Sequence, residues 1–198
     1  FLMAPRHHSA MRHVAGPRVE LATRTIFNVL GPISNPSGVK RQLTGVYSRE
    51  LMEPIAHALG NLGCERTWVV HGSDGTDELT TAGKSYVASL ENGKVDTFEI
   101  SPGDAGLPEV SLEDLKGGDA EYNAVAIRKM LEGEPGPYRD VVLLNTAAAL
   151  IISGKVKDLK EGVKVAANTI DSGKAKLVLE RMIEITNSID VNGEAGDA

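Results

Sequence analysis

A cluster of acidic side chains after a strand-like segment is the first feature that could do chemistry. The segment VVHGSDGTDELT, residues 69–80, places Asp74, Asp77 and Glu78 within five positions, among glycines that favour a turn. Carboxylates held this close repel one another unless a cation neutralises them or water screens them. Oxygen ligands without cysteine favour Mg²⁺, which commonly bridges one or two carboxylates to substrate phosphates. The spacing alone leaves a metal site and a solvated acidic turn both open.

A basic stretch near the start of the sequence is the second candidate. Positions 6–24 hold four arginines and three histidines, with Glu20 as the only acidic residue. Such a patch in a protein of net charge −6 suits a small anion better than a long polyanion. Arg18 follows a Gly-Pro break and could grip a planar carboxylate, while Met11 could pack against an aromatic ring. The alternatives are a surface ion pair for Arg18, a core position for Met11 and a structural role for His8.

Composition limits the class of protein. The 198 residues, 41% apolar and 24% charged, are typical of one globular domain with a substantial core. The acidic net charge argues against a broad nucleic-acid surface, and no apolar run reaches the roughly 20 residues that span a bilayer. The single cysteine, Cys64, cannot form an internal disulfide, which favours a reducing compartment. We therefore expect a soluble, cytoplasmic protein that binds neither nucleic acid nor membrane.

Other common catalytic signatures do not occur. The sequence has no nucleophile-base pair at a recognised spacing, no GxGxxG dinucleotide loop and no GxxxxGK[ST] phosphate loop. The turn Gly117-Gly118-Asp119 could face an anion, but a plain helix start is the better interpretation. No residue is assigned a catalytic role.

The acidic turn must be positioned by the elements before it. QLTGVYS (42–48) and RTWVVHG (66–72) are predicted strands, and apolar residues recur at helical spacing between them, from Leu51 to Leu62. Strand, helix, strand is typical of a parallel sheet with crossover helices, in which function collects at the carboxyl ends of strands. TRTIFNVLG, before the first strand, is compatible with either a short helix or a buried strand.

The segments after the acidic turn predict a hairpin and then helices. SYVASL and KVDTFEIS lie on either side of an Asn-Gly turn signal. Residues 111–186 are predicted to be mostly helical, and the apolar run 141–152 to be a helix buried against the sheet. We expect residues 1–187 to form a single α/β domain, a mainly parallel sheet flanked by helices. Residues 188–198 are expected to be a disordered tail, and the start at Phe1 suggests truncation on the amino-terminal side.

Several segments together resemble one known family. FLMAPRHHSAMRHVAGPR, RTIFNVLGPISNP, VVHGSDGTDE, GGDAEYNA, RDVVLLNTAAAL and IDSGKA resemble, in order and spacing, the anthranilate phosphoribosyltransferases. The resemblance runs from Phe1 to about Glu184. It implies most of the large domain of the nucleoside phosphorylase/phosphoribosyltransferase-type fold, usually a homodimer when complete. The implied reaction transfers the phosphoribosyl group of phosphoribosyl pyrophosphate (PRPP) to the amine of anthranilate and releases pyrophosphate, in tryptophan biosynthesis.

The resemblance also implies roles for particular residues. Arg18 takes the place of the arginine that contacts the carboxylate of anthranilate. Asp77 and Glu78 take the place of the acidic pair that binds Mg²⁺ together with the pyrophosphate. The positions that correspond to the lining of the anthranilate channel are Pro5, His8 and Met11.

The resemblance implies only half of a site in these 198 residues. The family's glycine-rich GTGGD loop, its serine and threonine phosphate contacts and its KHGN segment lie upstream of the matching region. We therefore expect negligible turnover from the chain by itself. One alternative is a pyrimidine nucleoside phosphorylase-like enzyme, whose chemistry would not need Arg18. Another is a non-catalytic domain used for binding or dimerisation.

Overall fold

The computed structural model describes residues 26–188, together with Gly16 and Glu20. The described elements, in chain order, are α1 (Ile26–Ile33), β1 (Arg41–Gly45), α2 (Met52–Asn61), β2 (Arg66–Gly72), β3 (Ser85–Glu91), β4 (Lys94–Ile100), α3 (Ala120–Leu131), α4 (Pro137–Ile152), α5 (Leu159–Asp171) and α6 (Lys174–Ser188). Short 3-10 turns occupy Arg49–Leu51, Pro102–Ala105 and Leu112–Leu115. Residues 189–198, expected to be a tail, lie outside the described residues.

The strands form one sheet in the order β1-β2-β3-β4. The predicted α/β class with flanking helices is confirmed, but the parallel majority is not found among the described strands. Of the strand pairs within residues 26–188, only β1-β2 is parallel, whereas β2-β3 and β3-β4 are antiparallel. Parallel neighbours need a crossover, usually a helix, and no helix lies between β2 and β3. The antiparallel pairing of β3 with β4 follows from the predicted Asn92-Gly93 turn, where both residues have positive φ (52° and 77°).

Helices cover both faces of this sheet. On one face α2 buries Ile55 and Leu59 against Val69 of β2 and Ala88 of β3. On the other face lies α4, which buries Leu144, Ala147, Ala148, Ile151 and Ile152 in a cluster with residues of β2 and β3. The prediction of a buried helix over 141–152 is therefore confirmed. The sheet and its two covering helices form the frame that holds the acidic turn.

Helices α3 and α5 pack on α4 away from the sheet. Met130 of α3, Leu143 of α4, and Ala166 and Ile170 of α5 form a separate buried cluster. The helical segment expected after Lys160 is two helices, because Gly173 adopts φ 75° and separates α5 from α6. TRTIFNVLG, left open by the sequence, is helical from Ile26. No helix in the described part of the chain is long and apolar enough to cross a membrane.

Candidate functional site

The acidic turn lies at the carboxyl ends of the two parallel strands, as the sequence predicted. β2 ends at Gly72 and leads directly into the turn, while β1 ends beside it at Gly45. The backbone of Asp77 packs so closely on Gly45 that a Cβ there would overlap the Asp77 carbonyl oxygen and lie 2.5 Å from its carbonyl carbon. Glycine at the end of β1 therefore gives the turn the space to cross over that strand.

Asp74 faces inward and ties the turn together. Its Oδ1 accepts hydrogen bonds from the backbone N–H (3.1 Å) and the hydroxyl (2.7 Å) of Thr76, and its Oδ2 accepts from the hydroxyl of Thr80 (2.6 Å). Burial alone would raise the pKa of Asp74, but the hydrogen bonds from Thr80 and Thr76 lower it overall. Asp74 is therefore an ionised structural residue that closes the turn.

Backbone hydrogen bonds close the same segment from both ends. The N–H of Gly72 donates to the carbonyl of Thr76 (2.9 Å), and the N–H of Ser73 donates to the carbonyl of Lys84 (2.8 Å). The N–H of Thr80 donates to the hydroxyl of Ser85, which is fully buried at the start of β3 (2.9 Å). These hydrogen bonds hold the two ends of the turn to each other and to the start of β3.

Asp77 and Glu78 take no part in the hydrogen bonds just described, and both residues are exposed, although neighbouring atoms partly desolvate the Glu78 carboxyl. Partial burial raises the pKa of Glu78, and the negative charges of Asp77 and Asp74 raise it further. A bound cation would oppose this shift, because it stabilises the ionised carboxylate. The two carboxylates are therefore unfavourable neighbours that a divalent cation would stabilise.

The donor set of the acidic pair fits Mg²⁺ better than a structural metal. Among the described residues no group of three or more His, Cys, Asp or Glu side chains is arranged to hold a metal ion. A structural zinc site uses four protein ligands, mostly Cys and His. Mg²⁺ keeps several waters and is commonly bound by one or two carboxylates and the phosphates of a substrate. Asp77 and Glu78 can supply the one or two carboxylate ligands that such a Mg²⁺ site needs.

Asn145, which sequence reasoning did not single out, holds the next residue of the loop. From helix α4 its Oδ1 accepts a hydrogen bond from the Leu79 N–H (3.0 Å). Its Nδ2 donates to the carbonyls of Leu79 (2.7 Å) and Val141 (3.0 Å). The available signal was one amide within the largely apolar run VVLLNTAAALII, since a polar side chain in such a run needs partners.

His71, the last residue but one of β2, fixes the neighbouring strand end. Its Nδ1 lies 2.9 Å from the carbonyl oxygen of Val46. Because a carbonyl can only accept, Nδ1 carries the proton and the histidine donates this hydrogen bond. His71 thus joins the carboxyl ends of β1 and β2 beneath the acidic turn.

The other sequence candidates divide into two groups. Pro5, His8, Met11 and Arg18 lie outside the described residues, so their roles stay predictions. The turn Gly117-Gly118-Asp119 is a helix start, as interpreted, since the Asp119 carboxylate accepts a hydrogen bond from the N–H of Tyr122 (2.8 Å) at the beginning of α3.

Comparisons with known proteins identify the family of this chain. The pattern of the glycosyl transferase family, a/b domain, matches residues 1–176. A relative from Rhodopseudomonas palustris (strain HaA2), named anthranilate phosphoribosyltransferase, is 61% identical over 186 residues, covering 94% of this chain and 55% of the relative. A relative of the same name from Parvibaculum lavamentivorans is 60% identical over 187 residues, which again cover 94% of this chain and 55% of the relative. The chain spans about half the length of the curated relatives it matches.

Solved structures of similar proteins carry the same name. The anthranilate phosphoribosyltransferase from Thermus thermophilus has a TM-score of 0.84 at 45% identity, over 91% of this chain and 54% of that one. The enzyme from Saccharomyces cerevisiae in complex with PRPP and Mg has a TM-score of 0.85 at 35% identity, over 96% and 55% of the two chains. This chain therefore belongs to the glycosyl transferase family, a/b domain, and resembles the anthranilate phosphoribosyltransferases within it.

Proposed function

We propose that this chain is part of a transferase that moves the phosphoribosyl group from PRPP to the amine of anthranilate, in tryptophan biosynthesis. The amine nitrogen bonds to the anomeric carbon of the sugar, the bond from that carbon to pyrophosphate breaks, and the nitrogen loses a proton. The observation that carries the proposal is the exposed Asp77-Glu78 pair on a fixed loop at the carboxyl ends of β1 and β2, in a chain of this family. Relatives that bear the enzyme's name support it.

Asp77 and Glu78 are proposed to hold Mg²⁺ beside the pyrophosphate group. When bound, the ion neutralises negative charge that develops on the departing pyrophosphate. The chain's own contribution is positional: a loop closed by Asp74 and braced on Gly45 keeps the two carboxylates in place before the substrate arrives. The structure of the similar enzyme from Saccharomyces cerevisiae, a complex with PRPP and Mg, supports this assignment.

The basic segment is proposed to bind the acceptor. Arg18 would form a bidentate ion pair with the carboxylate of anthranilate, and Pro5, His8 and Met11 would line the path of the aromatic ring. The support is the resemblance of APRHHSAMRHVAGPR to the family together with the match of the family pattern over residues 1–176.

The wider setting is also proposed. Residues 1–187 would form a single α/β domain of a cytoplasmic homodimeric enzyme. Cytoplasmic location suits a reaction that consumes a highly charged sugar pyrophosphate, which does not cross membranes unaided. Neither nucleic acid nor membrane is needed by this chemistry.

A chimera tests the proposed function directly. In it, this chain replaces the matching segment of the Rhodopseudomonas palustris relative, and the loss of anthranilate fluorescence is followed with PRPP and Mg²⁺ present. We expect an active chimera, and we expect Glu78→Gln to lower kcat/KM by at least about 100-fold, since changes to groups that merely support metal ligands already cost 10–100-fold. Asp96→Asn, at an exposed position on β4 with a surface ion pair, is the matched control and is expected to keep full activity.

The acceptor is tested in the same chimera with Arg18→Ala. We expect the KM for anthranilate to rise while the affinity for Mg²⁺ and pyrophosphate is retained. A pyrimidine nucleoside phosphorylase-like enzyme would show no anthranilate-dependent reaction and no effect of this change. An inactive but folded chimera would count against the proposed function as a whole.

A further inference from the structure

We propose that Asn145 is a positioning residue for the Asp77-Glu78 pair, which it controls through the backbone of Leu79. The proposal rests on the proposed metal-binding role of that pair. Asn145 lies in the middle of α4, the buried helix, and touches neither proposed ligand in the described hydrogen bonds. Its effect on the site would therefore be indirect, through the peptide chain.

The contact between Asn145 and the loop has two points. The amide oxygen accepts from the Leu79 N–H at 3.0 Å, and the amide nitrogen donates to the Leu79 carbonyl at 2.7 Å. The Leu79 N–H belongs to the peptide group that also contains the Glu78 carbonyl. Because a peptide group is planar, holding the Leu79 N–H also fixes the orientation of the Glu78 carbonyl group.

Asn145 is itself held in one orientation. Its second amide hydrogen is directed to the carbonyl of Val141, one turn earlier on α4, at 3.0 Å. Both amide hydrogens and the amide oxygen are thus in use, so rotation of the amide by 180° would break every one of these bonds. The two hydrogen bonds between Asn145 and Leu79 consequently allow only one orientation of the amide.

The burial of Leu79 explains how its hydrogen bonds with Asn145 affect the backbone of Asp77 and Glu78. The Leu79 side chain is fully buried and belongs to the same core cluster as Leu144 and Ala148 of α4. Side chain and backbone of Leu79 are therefore both anchored on one helix. The Asp77 backbone packs on Gly45, so the chain is held on both sides of Glu78, while the two exposed carboxylates keep their own side-chain rotations.

The apolar surroundings of Asn145 in α4 support a role for its amide beyond packing. Asn145 is partly buried, and removing a polar group even partly from water costs free energy unless its polar atoms are paired, a cost that an apolar side chain would avoid. An amide fits here because it fixes the backbone of a loop that carries two mutually repelling carboxylates. Such preorganisation lets a cation bind without first ordering its ligands.

The test uses Mn²⁺ as a paramagnetic substitute for Mg²⁺ and the 198-residue chain. Line broadening of backbone amide NMR signals is followed as Mn²⁺ is added. In the native chain we expect broadening centred on Asp77 and Glu78. In Asn145→Ala we expect the midpoint to shift to at least about tenfold higher Mn²⁺, the scale seen when groups that support metal ligands are removed.

Two further variants make the result specific. Ile152→Val, a core truncation about two turns further along the same helix, controls for loss of stability and should bind Mn²⁺ as the native chain does. Asn145→Gln keeps the amide but displaces it by one methylene. It should fold, and weaken Mn²⁺ binding less than alanine does. If Asn145→Ala does not fold, Mn²⁺ binding by Asn145→Gln tests the positioning role in its place.

The outcomes separate the two proposals. Folded Asn145→Ala and Asn145→Gln variants that bind Mn²⁺ like the native chain would overturn the positioning role and leave the metal site standing. Absence of broadening around Asp77 and Glu78 in the native chain, both with and without inorganic pyrophosphate, would overturn the metal assignment itself, and the role of Asn145 with it. Weaker Mn²⁺ binding by an Asn145 variant, together with native Mn²⁺ binding by Ile152→Val, supports both the metal site and the positioning role.

Discussion

Three carboxylates share one short turn, but their surroundings give them different chemistry. Asp74 accepts three hydrogen bonds, and these lower its pKa. Glu78 has a raised pKa, from partial burial and from the charges of Asp77 and Asp74. Environments that push neighbouring pKa values apart mark groups with different tasks. The inward carboxylate builds the turn, and the outward pair is left available to a ligand.

Replacing Asp74 tests this division through its pH dependence. We expect Asp74→Asn to lower the free energy of unfolding by about 1.5 kcal/mol at pH 7, the lower end of the range for hydrogen bonds to charged groups, because asparagine keeps one acceptor. The folded pKa of Asp74 is depressed, so its ionised form stabilises the fold above the ordinary value of about 3.9. That contribution is lost as pH falls through the folded pKa, and the difference between variant and native chain should shrink accordingly.

Urea denaturation at pH 7, 5 and 3 measures the effect. Asp96→Asn provides the comparison, since its exposed pairing with Lys94 should contribute little at any of these pH values. A stability difference for Asp74→Asn that stays constant down to pH 3 would show that the ionised carboxylate is not what holds the turn.

At the scale of elements, α4 is the part on which the loop, the sheet and the outer helices all depend. One face of α4 covers the sheet, Asn145 holds the loop, and Ala147 meets α5 at Gly162. A Cβ on Gly162 would lie 2.6 Å from the Ala147 Cβ and 2.8 Å from its Cα. The two helices are therefore too close at this crossing to admit another methyl group without moving.

Gly162→Ala is expected to destabilise the protein despite the better helix propensity of alanine. Overpacking costs about 1–3 kcal/mol, against a gain of about 1 kcal/mol for replacing glycine within a helix. We expect a net loss of about 1 kcal/mol in the free energy of unfolding, measured by urea denaturation. The matched control is Gly103→Ala, where an added Cβ meets nothing within 4 Å.

A double variant separates crowding from other causes. In an Ala147→Gly background the nearest contact of the new methyl group is removed, so the penalty of Gly162→Ala should become smaller. The backbone atoms of Ala147 remain close, at 2.8 Å and 3.2 Å for Cα and O, so the penalty should not vanish. Equal penalties in the two backgrounds would mean that the Ala147 side chain is not the obstacle.

Local patterns in the sequence predicted most elements but not how they meet. β2 and the hairpin of β3 and β4 carry their own signals, alternating or β-branched residues and an Asn-Gly turn. The direction of β3 relative to β2 depends on the connection between them, which the sequence pattern did not resolve. The same holds for Asn145, whose partner Leu79 is 66 positions away, and for the inward turn of Asp74 onto Thr80. Contacts of this kind arise only when the chain folds.

At the scale of the whole molecule, the described site presents one kind of group to a substrate. Asp77 and Glu78 are oxygen ligands suited to a cation, and the net charge of the chain is −6. A pyrophosphate group is itself strongly negative, so these carboxylates can approach it only through a cation or together with cationic and backbone donors elsewhere. The family resemblance assigns those phosphate contacts to segments outside these 198 residues.

The 198-residue chain by itself is therefore expected to show negligible transfer of phosphoribosyl to anthranilate. Misplacing a substrate by about 1 Å can already cost a factor of about 100, so loss of the donors that position PRPP should cost at least that much. Anthranilate fluorescence with PRPP and Mg²⁺ present gives the rate, with the chimera as the positive control under the same conditions. Binding of Mn²⁺ at Asp77 and Glu78 is expected to persist in the same sample, since this chain contains both the ligands and the residues that position their backbone. A rate near that of the chimera would instead mean that this chain positions PRPP without the segments that the family uses for it.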